Sequence, residues 1–169
     1  LQLAMIRDET LSKKLSSDVD DMEKMLNEYL QFASTGAKDK TETFDISELI
    51  LKLINNYNNP NIIQNFKEEI YFNGRKNLIA RCINNLIENS LKYAKKVEIS
   101  MEKQKDNLTI MVSDDGPGVP EKEHENIIKP FYKIDKSRSE SKSSVGLGLS
   151  IASDISRSHG GDIKFAKSK

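Results

Sequence analysis

Two runs of alternating apolar residues, 97–103 and 108–113, are joined by little more than Lys105-Asp106-Asn107. Alternation with period two marks half-buried strands, and so short a polar connector reads as a hairpin turn. Elsewhere helix and strand patterns alternate: helices at 46–56 (with Asp45 or Ser47 as cap), 76–94 and 146–158, strand-like runs at 70–72 and 162–166, and a turn-rich loop at 57–61. An adjacent antiparallel hairpin within such a chain argues against a doubly wound parallel sheet. The expected class is α+β, a two-layer α/β sandwich.

Residues 1–33 have a different character. They contain neither Gly nor Pro, and apolar residues recur at Leu15, Val19, Met22, Leu26, Tyr29 and Ala33. Steps alternating between four and three make a heptad seam, which needs a partner helix. A short arm at 1–6, a turn at 7–10 and Thr10 as N-cap would make a helical hairpin that completes its core by dimerising. A lone amphipathic helix lying on its own domain is the simpler alternative. Residues 34–43 are polar and include Gly36, as expected of a helix stop and linker.

Composition narrows the chemistry. Lys+Arg and Asp+Glu are both 26 in 169 residues, so the net charge is zero and argues against a bulk electrostatic grip on nucleic acid or an acidic membrane. One Cys and two His leave no disulfide framework and no ordinary zinc site, so a bound metal would sit on oxygen ligands. The longest apolar run, at 3–6, falls far short of the ~20 residues of a spanning helix. A soluble chain of a reducing compartment is expected.

The helix at 76–94 carries an unusual stripe. Asn85, Glu88, Asn89 and Lys92 fall on one face, beside an apolar face of Ile79, Cys82, Ile83, Leu86 and Ile87. Asn is a mediocre helix former, so Asn84, Asn85 and Asn89 together need a reason. Amide oxygens suit Mg²⁺, a Lys suits phosphate, and a Glu can accept a proton. A solvated face with tolerated Asn explains the stripe about as well.

Two glycine clusters follow. Asp114-Asp115-Gly116-Pro117-Gly118 comes directly after a strand, where backbone can approach a ligand and a carboxylate can accept from an exocyclic amine. Gly146-Leu147-Gly148-Leu149 opens a helix, whose N–H groups favour anions. A tight turn and a flexible cap are the plain alternatives. The long segment between them holds Lys129, Lys133, Lys136, Arg138 and Lys142 against Asp135 and Glu140, with Pro130-Phe131-Tyr132 as a small apolar anchor. Such a loop is typically a lid, and its charge suits a polyphosphate. No Gly-x-x-x-x-Gly-Lys-Ser/Thr loop and no strand-to-helix Gly-x-Gly-x-x-Gly is present.

In this order the pieces resemble the boxes of bacterial sensor histidine kinases. Residues 85–94 (Asn-Leu-Ile-Glu-Asn-Ser-Leu-Lys-Tyr-Ala) resemble the N box and 114–118 the G1 box. Lys129-Pro130-Phe131-Tyr132 resembles the F box and 146–151 the G2 box. The run at 114–118 and the helical hairpin look most like the EnvZ-type osmosensing kinases. The resemblance implies a partial dimerisation and phosphotransfer hairpin at 1–36. It implies a GHKL (Bergerat) ATP-binding domain at 37–169, with the family's last hairpin beyond Lys169. It makes Asn89 the main Mg²⁺ ligand with Asn85 nearby, and Glu88 the base or orienting group for the attacking histidine. Lys92 would touch phosphate, Tyr93 would pack near adenine and Asp114 would receive its amino group. Gly116 and Gly118 would form the nucleotide-side turn. Gly146 and Gly148, with Leu147 and Leu149, would cradle phosphates. Phe131 would anchor the lid, and Lys133 would reach the terminal phosphate.

No His-acidic-Leu-basic-Thr/Ser-Pro motif is present, so the phosphoacceptor His would lie upstream of Leu1; His124 and His159 read as structural. Ser144-Val145 stands where the family usually has Gly-Thr. The expected function is transfer of the ATP γ-phosphoryl to a hairpin histidine of a homodimer, then to an aspartate of a response-regulator receiver domain. This part would be cytoplasmic, and the full-length protein would enter the inner membrane through an upstream segment. Two alternatives stand: an ATP-binding pseudokinase or scaffold, and a GHKL ATPase without a protein acceptor.

Overall fold

The computed structural model describes residues 9–35, 39–105, 107–134 and 146–167. Helix α1 (Glu9–Thr35) precedes β1 (Thr41–Asp45), α2 (Ile46–Tyr57), β2 (Ile62–Asn65), β3 (Tyr71–Arg75) and α3 (Lys76–Tyr93). Then come β4 (Val97–Gln104), β5 (Asn107–Asp114), a 3-10 turn (Glu121–Glu123), α4 (His124–Ile127) and α5 (Gly148–Arg157). The expected hairpin is there: β4 and β5 pair antiparallel from Val97↔Asp114 to Gln104↔Asn107. Strand β2 runs parallel to β4 on its other side, giving the order β2-β4-β5. A parallel pair needs a crossover, and β3 with α3 supplies it. Strand β3 pairs antiparallel with β1 in a separate two-stranded ladder.

One core joins sheet and helices. Val97 and Ile99 of β4 are buried while Glu98 between them is exposed, as period two requires. Against them pack Ile46, Ile50 and Leu53 of α2, Ile79, Ile83 and Ile87 of α3, and Ile151, Ala152 and Ile155 of α5. This is the α+β sandwich read from the hairpin. Of the two candidate caps for α2, Asp45 does the capping: its Oδ1 accepts from the Ser47 N–H at 2.8 Å. The buried Ser47 hydroxyl instead donates to the Glu68 carbonyl (2.8 Å) and accepts from the Ile70 N–H (3.0 Å), tying α2 to the approach to β3.

Several expectations change. Thr10 lies within α1 rather than capping it, because the helix is already established at Glu9; the arm at 1–6 lies outside the described residues. Strand β1 occupies the end of the expected linker, and its polar residues hid it, since only Phe44 is buried. Strand β2 has the same exposed character, with Ile62 alone buried. The expected strand at 162–166 makes no ladder; Ile163 packs on the core and the Phe165 ring lies 5.1 Å from that of His124. Along α1, Val19, Met22 and Leu26 are 47%, 67% and 57% exposed, so these three seam positions face away from the core. No helix among the described residues is long and apolar enough to cross a membrane.

Candidate functional site

Helix α3 is wedged so that its two polar edges meet different neighbours. On one edge, Asn85 lies against the start of α5: a Cβ on Gly148 would sit 3.8 Å from Asn85 Oδ1 and 3.9 Å from its Cβ and Cγ. The same packing brings the Cys82 thiol to 3.5 Å from the Ala152 carbonyl, and burial pushes that thiol up to about 11. Asn85 Nδ2 is buried and has no protein partner. Asn89 and Lys92 follow on this face, both half-buried, with the Lys92 ammonium 5.5 Å from the Tyr93 ring centroid. On the other edge, Asn84 accepts from the Tyr57 hydroxyl at 3.3 Å, which is the reason for the third amide. Burial, with the Glu88 charge behind it, pushes the Tyr57 phenol up to about 12. Glu88 is exposed, and its charge reaches the Tyr57 phenol of α2.

The first glycine cluster closes onto the end of α3. Ser90 donates to Asp114 Oδ2 at 2.8 Å, and the Gly116 N–H donates to Asp114 Oδ1 at 2.9 Å. A Cβ on Gly116 would lie 2.7 Å from that oxygen and 3.3 Å from the Tyr93 carbonyl, so a side chain there would have to displace the Asp114 carboxylate. Gly118 has φ +71° in open space. Sequence reasoning missed Ser90, whose buried hydroxyl orients Asp114; a small polar residue one step beyond Asn89 was its only signal.

Asp115 works differently from its neighbour. Its Oδ1 accepts from the Lys95 and Lys96 N–H groups at 2.8 and 2.9 Å, fastening the end of β5 to the α3–β4 corner. Those backbone donors, Lys96 first, hold its carboxyl below the usual carboxylate range. Its contribution is therefore complete above the unfolded-state value of about 3.9 and is lost as pH falls through the lower folded-state value. Asp115→Ala should melt at a lower temperature than the parent at neutral pH. The gap should shrink in acid, and a pH-independent gap in calorimetric scans would refute this role.

The second cluster meets the F-box residues. The Phe131 N–H donates to the Gly146 carbonyl at 3.0 Å, and Gly146 has φ +80°. A Cβ there would lie 3.1 Å from the Phe131 carbonyl carbon and the Tyr132 oxygen. Phe131, expected to anchor the lid, has φ +65° and a ring that is 60% exposed. Its backbone makes the junction instead. Leu147 and Leu149 turn their side chains into the protein, so only their main chain can face a ligand. The first N–H groups of α5 have no intrahelical acceptor. Lys133 is half-buried just beyond this junction.

Both histidines have backbone partners. His159 Nε2 accepts from the Arg75 N–H at 3.1 Å, which leaves Nδ1 to donate to the Ile155 carbonyl at 2.8 Å. His124 Nε2 lies 3.1 Å from the Val119 carbonyl. Two shallow clefts, around Asn55 to Ile62 and around Phe66 to Lys103, share no residue with the stripe or the glycine clusters.

Residues 74–169 match the family of histidine kinase-, DNA gyrase B- and HSP90-like ATPases. The chain belongs to that family. It is the ATP-binding catalytic domain of a sensor histidine kinase of a two-component system. It is 30% identical to the sensor histidine kinase GtrS of Pseudomonas aeruginosa over 98% of its own length and 34% of that protein's. It is 37% identical to CpxA of Escherichia coli K12 over 54% of its length and 20% of that protein's. It thus spans about a third of GtrS or less of such relatives. Among solved structures, the mycobacterial sensor kinase MprB superposes with TM-score 0.61 at 20% identity, covering 72% of this chain and 81% of that one. Full-length ShkA in complex with AMPPNP gives 0.66 at 20% identity over 92% and 35%. These likenesses carry the fold.

The donor set fits a nucleotide and a hard cation. Asn85 Nδ2 offers an amide N–H to an oxygen acceptor beside the amino end of α5. Among the described residues no three His, Cys, Asp or Glu side chains cluster as a metal site. The residues that would hold a magnesium ion are Asn89 and Asn85, through their amide oxygens, with phosphate and water completing its shell as is its usual habit.

Proposed function

We propose that Mg·ATP binds between the α3 stripe and the two glycine junctions, and that its γ-phosphoryl passes to a histidine on a helical hairpin. The single observation that carries this reading is the buried, unpartnered Asn85 Nδ2 at the amino end of α5, a polar group awaiting an acceptor. Asn89, with Asn85, holds the ion. Lys92 meets phosphate, Tyr93 borders the adenine and Asp114 receives its amino group, held in place by Ser90. Gly116 and Gly118 let the backbone approach the base, and Gly146 and Gly148 let it approach the phosphates. The main chain at Leu147 and Leu149 adds donors, and Phe131 offers its exposed ring at the rim. The ion, when bound, neutralises charge on the β- and γ-phosphates.

In the transfer, the imidazole lone pair forms the N–P bond while the bond from the γ-phosphorus to the bridging oxygen breaks, ADP leaving with that electron pair. Glu88, exposed at the rim where a protein substrate would arrive, takes the proton that the imidazole loses. The protein contributes position and charge rather than a covalent intermediate.

The outward seam of α1 supports a division at residue 36, a homodimer formed through this helix and a phosphoryl acceptor on the hairpin. A response-regulator aspartate is the final acceptor, in a protein otherwise attached to the inner membrane. Mixing the chain with Mg·ATP and a hairpin carrying the histidine should yield phosphohistidine; nucleotide binding without transfer would instead support a scaffold. Lys133→Ala should weaken ATP about tenfold and ADP far less, the scale of one charge-assisted contact. Equal losses in calorimetry would refute its terminal-phosphate role.

A further inference from the structure

Between the two glycine clusters, hydrogen bonds climb in steps of three residues. The Glu123 N–H donates to the Pro120 carbonyl at 2.8 Å, and Asn126 Nδ2 donates to Glu123 Oε2 at 3.3 Å. Lys129 donates to Asn126 twice, from its N–H to the carbonyl at 2.9 Å and from Nζ to Oδ1 at 2.7 Å. The Tyr132 N–H donates to the Lys129 carbonyl at 3.3 Å. The ladder then closes on itself: the Tyr132 hydroxyl donates to Glu123 Oε2 at 2.6 Å. This is the shortest hydrogen bond among those just named, of a length typical of a hydroxyl on a charged carboxylate.

We infer that Tyr132 is a positioning residue, which through this ring of bonds with Glu123 fixes where Lys133 leaves the protein toward the nucleotide. The inference rests on the proposed role of Lys133 at the terminal phosphate. Phe131 is pinned to Gly146 through its N–H and held in a left-handed conformation, and Tyr132 is pinned at both main chain and hydroxyl. Lys133 therefore starts from a backbone fixed on its preceding side, so its long side chain has less freedom to lose when it meets phosphate. Consistent with a charged acceptor, the Tyr132 hydroxyl bond holds the Glu123 carboxyl low, and the same bond raises the Tyr132 phenol. Both residues are half-buried, and neither is needed to fill the core.

The test is calorimetric titration of this chain with Mg·ATP and Mg·ADP. Tyr132→Phe, which removes only the hydroxyl, should weaken ATP about three- to tenfold, the scale of one hydrogen bond, with ADP changed less than about twofold. Glu123→Ala should do the same, the double variant should be no worse than either single one, and Glu123→Gln, which keeps an acceptor, should recover most of the loss. An unchanged ATP-to-ADP ratio in Tyr132→Phe and Glu123→Ala overturns the inference. So does a parallel loss of both nucleotides with a lowered melting temperature, the mark of a merely structural bond. A parent chain that binds neither nucleotide overturns the ATP reading itself, whereas a parent that prefers ATP and variants that still do so overturn only the role of Tyr132.

Discussion

Asn89→Ala should bind Mg·ATP at least about 100-fold more weakly than the parent while melting at the same temperature or higher. The two halves of that result have separate causes. Asn89 sits half-buried on the α3 stripe, one turn beyond Asn85, and its neighbour Ser90 rather than Asn89 itself faces the buried side. Alanine there removes no core contact and is the better helix former, by up to about 0.7 kcal/mol. The loss of a direct oxygen ligand should exceed the ~10–100-fold cost of disturbing groups that merely support one. Among the described residues no cluster of three acidic, His or Cys side chains offers the ion another seat. Calorimetry with Mg·ATP and a thermal melt decide it. An unchanged affinity would sink the ligand assignment, and a large fall in melting temperature would show that the residue supports the fold.

The parts of the fold that were legible from sequence are those where one face is buried and the other is wet. The β4–β5 hairpin and helices α2, α3 and α5 show their period because the core takes Val97, Ile99, Ile83, Ile87 and Ile155 from regular positions. Strands β1 and β2 escaped because each buries a single side chain, Phe44 or Ile62, leaving nothing periodic to detect. The run at 162–166 failed in the opposite way, since it alternates well but has no ladder. Alternation reports a preference for extended backbone, and pairing depends on a neighbour that a linear pattern does not contain.

At the site, the face shared by Asn85, Asn89 and Lys92 followed from helical spacing alone. That Asn84 meets the Tyr57 hydroxyl did not, because the partner lies on another helix, 27 residues away. Nor was it legible that Phe131 takes a left-handed φ with an exposed ring while the Tyr132 hydroxyl fastens to Glu123. Nine residues separate those two, and no local pattern links them.

Ile87→Ala should destabilise the domain by about 2–5 kcal/mol, a large share of the ~5–15 kcal/mol typical of a folded domain. Ile87 is 0% exposed and lies in the core shared by α3, the sheet and α5, where a deleted side chain leaves a cavity that close-packed neighbours fill only in part. The melting temperature should drop by roughly 5–15 °C. Its position next to Glu88 and two residues from Asn85 and Asn89 makes the contrast with Asn89→Ala informative. The stripe residues point the other way, so the Ile87 variant, where folded, keeps every group proposed to touch nucleotide. Saturating Mg·ATP should then raise its melting temperature, because a ligand that binds only the native state stabilises it by mass action. Asn89→Ala should show the reverse, a normal melt that Mg·ATP does not move. If both variants lose stability and both lose the ligand-induced shift, α3 does not separate a packing face from a binding face, and the cleft assigned to its polar edge is wrong.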